Sequence, residues 1–142
     1  VQIDLDVTSY IPDEYISDSS QKIEIYQDIA LCKNEEDIQN IVDEMIDRFG
    51  NMPEQIENLL DIARIKNLCK KIGINKVQGR RNFVLFIFET QELNININEL
   101  AKKYRNRIKF TQGIKPQITL ALEDSSEKGT LKEVMKFLKG LG

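Results

Sequence analysis

Histidine and tryptophan do not occur in this chain of 142 residues, cysteine occurs twice and proline three times. Without histidine the chain lacks the commonest general base near neutral pH and the commonest metal ligand. Cys32 and Cys69 stand far apart with no CxxC spacing, which predicts two buried free thiols rather than a zinc or dithiol motif. Long apolar runs are also missing. The longest, "FVLFIF" at 83–88, is far short of the ~20 residues that cross a bilayer, and no charged-then-apolar leader opens the chain. The expectation is a cytoplasmic domain with no membrane partner. There is no GxxxxGK[ST] loop, no GxGxxG after a strand and no GxSxG elbow. The "DLD" of residues 4–6 reads as the wet side of a strand, not as a metal-binding pair. No catalytic residue, metal ligand or cofactor site is assigned, and the chain by itself is expected not to be an enzyme.

What is present fits an ordered globular domain: 41% of residues are hydrophobic and 30% charged. The length predicts a single domain over 1–142. The net charge of −3 conceals a polarity, since residues 1–66 carry 16 acidic against 5 basic side chains and residues 67–142 carry 7 against 15. Such a split marks either two differently charged partner surfaces or two solvated faces.

Hydrophobic periodicity orders the chain. Ile3, Leu5 and Val7 alternate with polar residues, the period of a half-buried strand that Pro12 ends. Asp18 with Gln21 resembles a capping box and predicts a helix over 19–32 with Ile23, Tyr26 and Ala30 inward. Asn34 caps a second helix whose apolar stripe is Ile38, Ile41, Val42, Met45, Ile46 and Phe49. Gly50 stops it. Pro53 fits the start of a third helix reaching about Ile72, with Ile56, Leu59, Leu60, Ala63 and Leu68 inward and Gly73 at its end. The period then changes to that of strands: a hairpin turning at 79–82, its second arm apolar on both faces and so central, and two more strands around Gly113. A short basic helix, "NINELAKKYRNR", separates them, and an amphipathic helix with Leu131, Val134, Met135 and Leu138 on one stripe closes the chain. The expected class is α+β: an N-terminal strand and three helices, then a mostly antiparallel sheet with two further helices.

Two surfaces stand out as candidates. On the second helix, about 100° per residue sets Glu36, Asp43, Glu44 and Asp47 opposite the apolar stripe. Such a face is either ordinary solvated polarity or a docking site for arginines, whose planar donors engage both carboxylate oxygens. The second surface is basic: Lys70, Lys71, Lys76, the Arg80–Arg81 turn, and Lys102, Lys103, Arg105 and Arg107 around Tyr104. Cations with an aromatic among them suit nucleic-acid contact.

The segments "YIPDEYISDSSQKIEIYQDIA", "EMIDRFGNMPEQIENLLDIARIK" and "IGINKVQG", in this order and spacing, resemble the C-terminal domain of bacterial transcription-repair coupling factors. The resemblance is close over residues 3–79, and the order of elements agrees to the end. It implies an accessory, non-catalytic domain of a large ATP-driven DNA translocase that removes stalled RNA polymerase and recruits UvrA for nucleotide excision repair. ATP and magnesium would then belong to motor domains elsewhere in the full-length protein. The family's domain packs on an N-terminal UvrB-like module and masks its UvrA-binding surface. Carried to this sequence, the resemblance places that contact on Glu44 and Asp47, with Asp43 and Arg48 as neighbours. The alternative role is a nucleic-acid or RNA polymerase contact through the basic half.

Overall fold

The computed structural model describes residues 1–93 and 95–141. Among them are five α-helices and one five-stranded mixed sheet, the α+β class that the sequence predicts. The chain divides into two compact units, residues 7–67 and residues 1–6 with 68–142.

The unit of residues 7–67 is helical: α1 (Ser19–Leu31), α2 (Glu35–Phe49) and the greater part of α3 (Glu54–Ile72). Its core gathers Ile11 and Ile16 from the lead-in, Ile25, Ile29 and Cys32 at α1, Ile38 and Met45 from α2, and Ile56 and Leu60 from α3. The inward face of α1 differs from the expectation. Ile25 and Ile29 are buried, whereas Ile23 is 57% exposed, and Tyr26 and Ala30 also face solvent. Apolar residues on this helix form two overlapping stripes, and packing selects the one that continues at i, i+4 and i+7 into Cys32. Tyr26 still serves the unit, because its hydroxyl accepts the Ile11 N–H at 2.8 Å. On α2 the stripe is narrower than predicted, with Ile46 44% exposed.

Caps were legible, but the reciprocal one is on a different helix. Asp18 accepts from the Ser20 N–H, one residue short of Gln21, at the start of α1. At α2 the Asn34 side chain accepts from the Asp37 N–H at 2.9 Å while the Asp37 carboxylate accepts from the Lys33 N–H at 3.0 Å. This pair satisfies two free donors and fastens the first turn. The other end of α2 stops at Gly50, with φ 89°, where Tyr15 donates its hydroxyl hydrogen to the Gly50 carbonyl at 2.7 Å. The Tyr15 ring leans on Phe49, centroids 5.8 Å apart.

The other unit is built on the sheet, in the order β1 (Gln2–Asp4), β2 (Ile74–Arg80), β3 (Phe83–Phe88), β5 (Gln117–Ala121), β4 (Ile108–Thr111). Among the described residues only the β1–β2 pair is parallel. β3 is central, as its sequence predicts: Val84, Phe86 and Phe88 are fully buried on one face and Leu85 and Ile87 half-buried on the other. α4 (Ile97–Tyr104) and α5 (Glu127–Leu141) complete the unit. Leu131, Val134, Phe137 and Leu138 of α5 are buried, and Phe137 stacks on Phe86 with centroids 4.7 Å apart. Of the predicted α5 stripe, Met135 is only half-buried.

Candidate interaction surfaces

Helical geometry builds the acidic surface. With about 100° per residue, Glu36, Asp43 and Asp47 fall within an arc of about 40° on α2, and Glu44 lies about 60° to one side of Asp47. All four are exposed. Caps bound α2 at both ends, so the carboxylates are displayed by a helix rather than by a loop.

Their partners differ. Glu44 accepts from Arg48 of its own helix at 3.3 Å, with both side chains largely exposed. An i,i+4 pair of that kind is worth only ~0.3–0.5 kcal/mol and is easily exchanged. Asp43 accepts from the neutral Gln39 amide at 3.0 Å. Among the described residues, Glu36 and Asp47 have no side-chain partner. Arg48 also lies over the Phe49 ring, 5.0 Å from its centroid, which places its charge at the edge of the ridge. The ridge is neither sunk in the core nor neutralised as a whole.

Elsewhere in the helical unit Asp13, Glu35 and Asp61 are tied down by cations. Arg64 of α3 grips Glu35 through two nitrogens, at 2.8 and 2.9 Å, and reaches Asp61 at 2.8 Å. Hydrogen bonding to Glu35, with Asp61 adding, raises the Arg64 pKa against the opposing effect of burial. Lys22 pairs with Asp13. In the first turn of α2, Glu35 and Asp37 are thus structural, while Glu36 and the carboxylates further along remain available.

The basic surface does not assemble as the sequence suggests. Arg107 turns inward: its Nε donates to the Ala121 carbonyl at 3.1 Å, and its terminal nitrogens reach Glu123 at 2.7 Å and Glu133 at 2.5 Å. Glu133 also accepts the backbone N–H groups of Glu123 and Asp124 at 3.0 and 2.7 Å. Tyr104 is buried, 5.4 Å from Phe137 edge to face, and offers no stacking platform; burial raises its pKa. Arg80, Arg81, Lys102, Lys103 and Arg105 are exposed. Arg81 and Arg105 both hold positive φ, 54° and 52°, at the β2–β3 turn and after α4. The Asn82 carbonyl accepts the Leu122 N–H at 2.7 Å, so the Arg80–Arg81 turn shares one end of the sheet with Glu123, Asp124 and Glu133. Carboxylates therefore interrupt the cations there.

Both thiols are buried and unpaired. Burial pushes Cys69 up to about 12 and raises Cys32 as well. Burial of this kind withholds the thiolate, the reactive form of a cysteine. Among the described residues there is no group of three or more Cys, Asp or Glu placed to hold a metal, and no helix is long and apolar enough to cross a membrane.

The fold is that of an α+β chain in which a helical unit displaying exposed carboxylates is joined in sequence to a cation-rich sheet unit. The TRCF domain family model matches residues 5–100, and the chain belongs to that family. It is 36% identical over 138 residues to the transcription-repair-coupling factor of Rickettsia prowazekii, covering 96% of this chain and 12% of that protein. Its identity to the factor of Bacillus subtilis is 32% over 145 residues, covering 99% and 12%. The fold matches the crystal structure of the C-terminal domain of a transcription-repair coupling factor with a TM-score of 0.79 at 24% identity, over 99% of this chain and 90% of that one. The chain thus spans a small part of the length of the relatives it matches.

Proposed function

We propose that this chain is the regulatory C-terminal domain of a transcription-repair coupling factor, and that its α2 ridge docks on arginines of a UvrB-like module in the same polypeptide. Docked, it covers the surface through which that module captures UvrA. The motor that hydrolyses ATP, moves on DNA and displaces RNA polymerase lies outside this chain. The observation that carries the reading is the exposed α2 face, where Asp43 and Asp47 have no cationic partner and Glu44 is held only by Arg48.

Weak pairing suits a lid that must open. Tethered partners meet at roughly millimolar effective concentration, so an intrinsic Kd of ~0.1 mM keeps about 90% of molecules closed. Opening then takes only ~1.4 kcal/mol. Rim-type ion pairs of ~0–1 kcal/mol each supply that amount, and a large apolar interface would exceed it.

The test is Glu44→Lys with Asp47→Lys in the full-length protein. If the closed fraction is about 90%, UvrA pull-down rises about tenfold while ATP hydrolysis is retained. Capture equal to that of the unaltered protein would sink the lid.

A further inference from the structure

Near the C-terminal ends of α3 and α5 the sheet unit carries an open cleft of about 510 Å³, within the range of ligand and side-chain docking sites. Its floor is aliphatic, made by Leu68 and Ile72 of α3, Ile95 from the segment before α4, and Leu138 of α5. Lys71 and Lys139 line it and are solvent-exposed. Lys103 of α4 approaches the same end of α5: a Cβ placed on Gly140 would lie 3.3 Å from its Nζ. Among the described residues, no Asp or Glu lines the cleft. Two helices end here, and their last carbonyls add roughly half a negative charge each. Three ammonium groups outweigh that and leave the opening positive.

We propose that this cleft docks an acidic peptide segment of a partner protein, which seats an aliphatic or aromatic side chain on the floor and sets carboxylates against Lys71 and Lys139. The floor favours a peptide over a nucleic acid. It holds no aromatic ring or guanidinium on which a base would stack, and a phosphodiester backbone has no apolar group to fill it. The cations are lysines, which act as point charges and select the sign of the partner rather than a fork geometry. The proposal is independent of the lid, because the ridge lies on the other unit.

Random-peptide display on the whole chain, followed by fluorescence anisotropy with an enriched peptide, tests it. The expected sequences place one bulky apolar residue between Asp or Glu residues. Lys71→Glu with Lys139→Glu, two exposed changes whose fold circular dichroism verifies, should weaken such a peptide roughly tenfold or more. The same peptide with lysines in place of its acids should regain affinity for that variant, and serine in place of the apolar residue should abolish binding to both. Absence of an acidic-apolar pattern, equal affinity for the double variant, or indifference to the serine change would overturn the proposal. So would loss of the peptide on Glu44→Lys with Asp47→Lys instead. Binding of a random-sequence DNA duplex that the double variant loses, without any peptide of that pattern, would reassign the lysines to nucleic acid.

Discussion

In the helical unit 14 acidic side chains stand against 5 basic ones, and in the sheet unit 9 stand against 15. The totals are of similar size and opposite sign, yet the two units treat their charges differently. In the first, three of the five cations are committed to local pairs: Lys22 to Asp13, Arg48 to Glu44, and Arg64 to Glu35 and Asp61. Of the surplus carboxylates, Glu36, Asp43 and Asp47 share one face of α2, because a helix returns residues i, i+7 and i+11 to one side, while Glu14, Glu24, Asp28 and Glu54 stand exposed elsewhere. In the second, cations lie on β2, β4, the turns, α4 and the end of α3, with Lys132, Lys136 and Lys139 on one exposed face of α5, and the most fully bonded one, Arg107, holds Ala121, Glu123 and Glu133 together. Net charge therefore says little about where free charge is displayed. Helical periodicity concentrates it, as carboxylates on α2 and as lysines on α5, and strands and turns disperse it.

The largest expected effect sharpens this contrast directly. Reversing Glu44 and Asp47 in the full-length protein should raise UvrA capture about tenfold, and reversing Arg80 and Arg81 in the same assay should leave it unchanged. A gain from the arginine variant, and none from the carboxylate variant, would invert the comparison.

Stability measurements come next. Glu133→Ala should destabilise the sheet unit by about 2–3 kcal/mol in urea, because it abandons a partly buried guanidinium and two backbone donors at once. Arg64→Ala, which breaks a similarly exposed network in the helical unit but strands no backbone donor, should lose about 1 kcal/mol. Equal losses would show that the two networks are alike after all. Gly129→Ala belongs with the larger class. A Cβ there would lie 2.4 Å from Asp124 Oδ2 and 2.5 Å from its backbone oxygen, so α5's first turn must shift, at about 1–3 kcal/mol.

One buried cysteine per unit allows the units to be followed separately. Thiol labelling read by mass spectrometry at increasing urea should find both protected in the native chain, with Cys32 modified before the fully buried Cys69. The pH dependence has a definite sign. Burial raises the folded Cys69 value from 9.0 to about 12, so its contribution is complete below pH 9 and falls away as pH rises toward 12, where only the unfolded chain ionises easily. Cys69→Ala should flatten that alkaline decline. The smallest effect belongs to Asp124, whose carboxyl is held below its ordinary value chiefly by hydrogen bonding to Ser126. What it contributes is present above the ordinary carboxylate range and disappears as pH drops through the depressed value, so Asp124→Ala should slightly soften the acid limb of stability.

Much of this was legible before any coordinates. Asn34, Gly50 and the stripe through Ile38 and Met45 mark α2 by local rules alone, and the unbroken apolar run of β3 announces a central strand. The face of α1 was not legible. Ile23 is as apolar as Ile25 and Ile29, and only the neighbours that close over Cys32 choose between the two stripes. The fate of Arg107 was hidden for a related reason. Its partners, Ala121, Glu123 and Glu133, lie well down the chain, and pairing over such separations leaves no periodic trace.

By itself the sequence determined the helices, their caps, the strand periods and the acidic ridge, all consequences of interactions spanning a few residues. Tertiary structure alone decided that the strand at residues 2–4 pairs in parallel with one seventy-odd residues later, that Tyr104 is walled in, and that Lys71 and Lys139 line the same aliphatic cleft. The physical reason is range. Backbone hydrogen bonds and side-chain spacing along one element repeat with a period that can be counted, whereas packing joins residues whose separation in the chain carries no information about their separation in space.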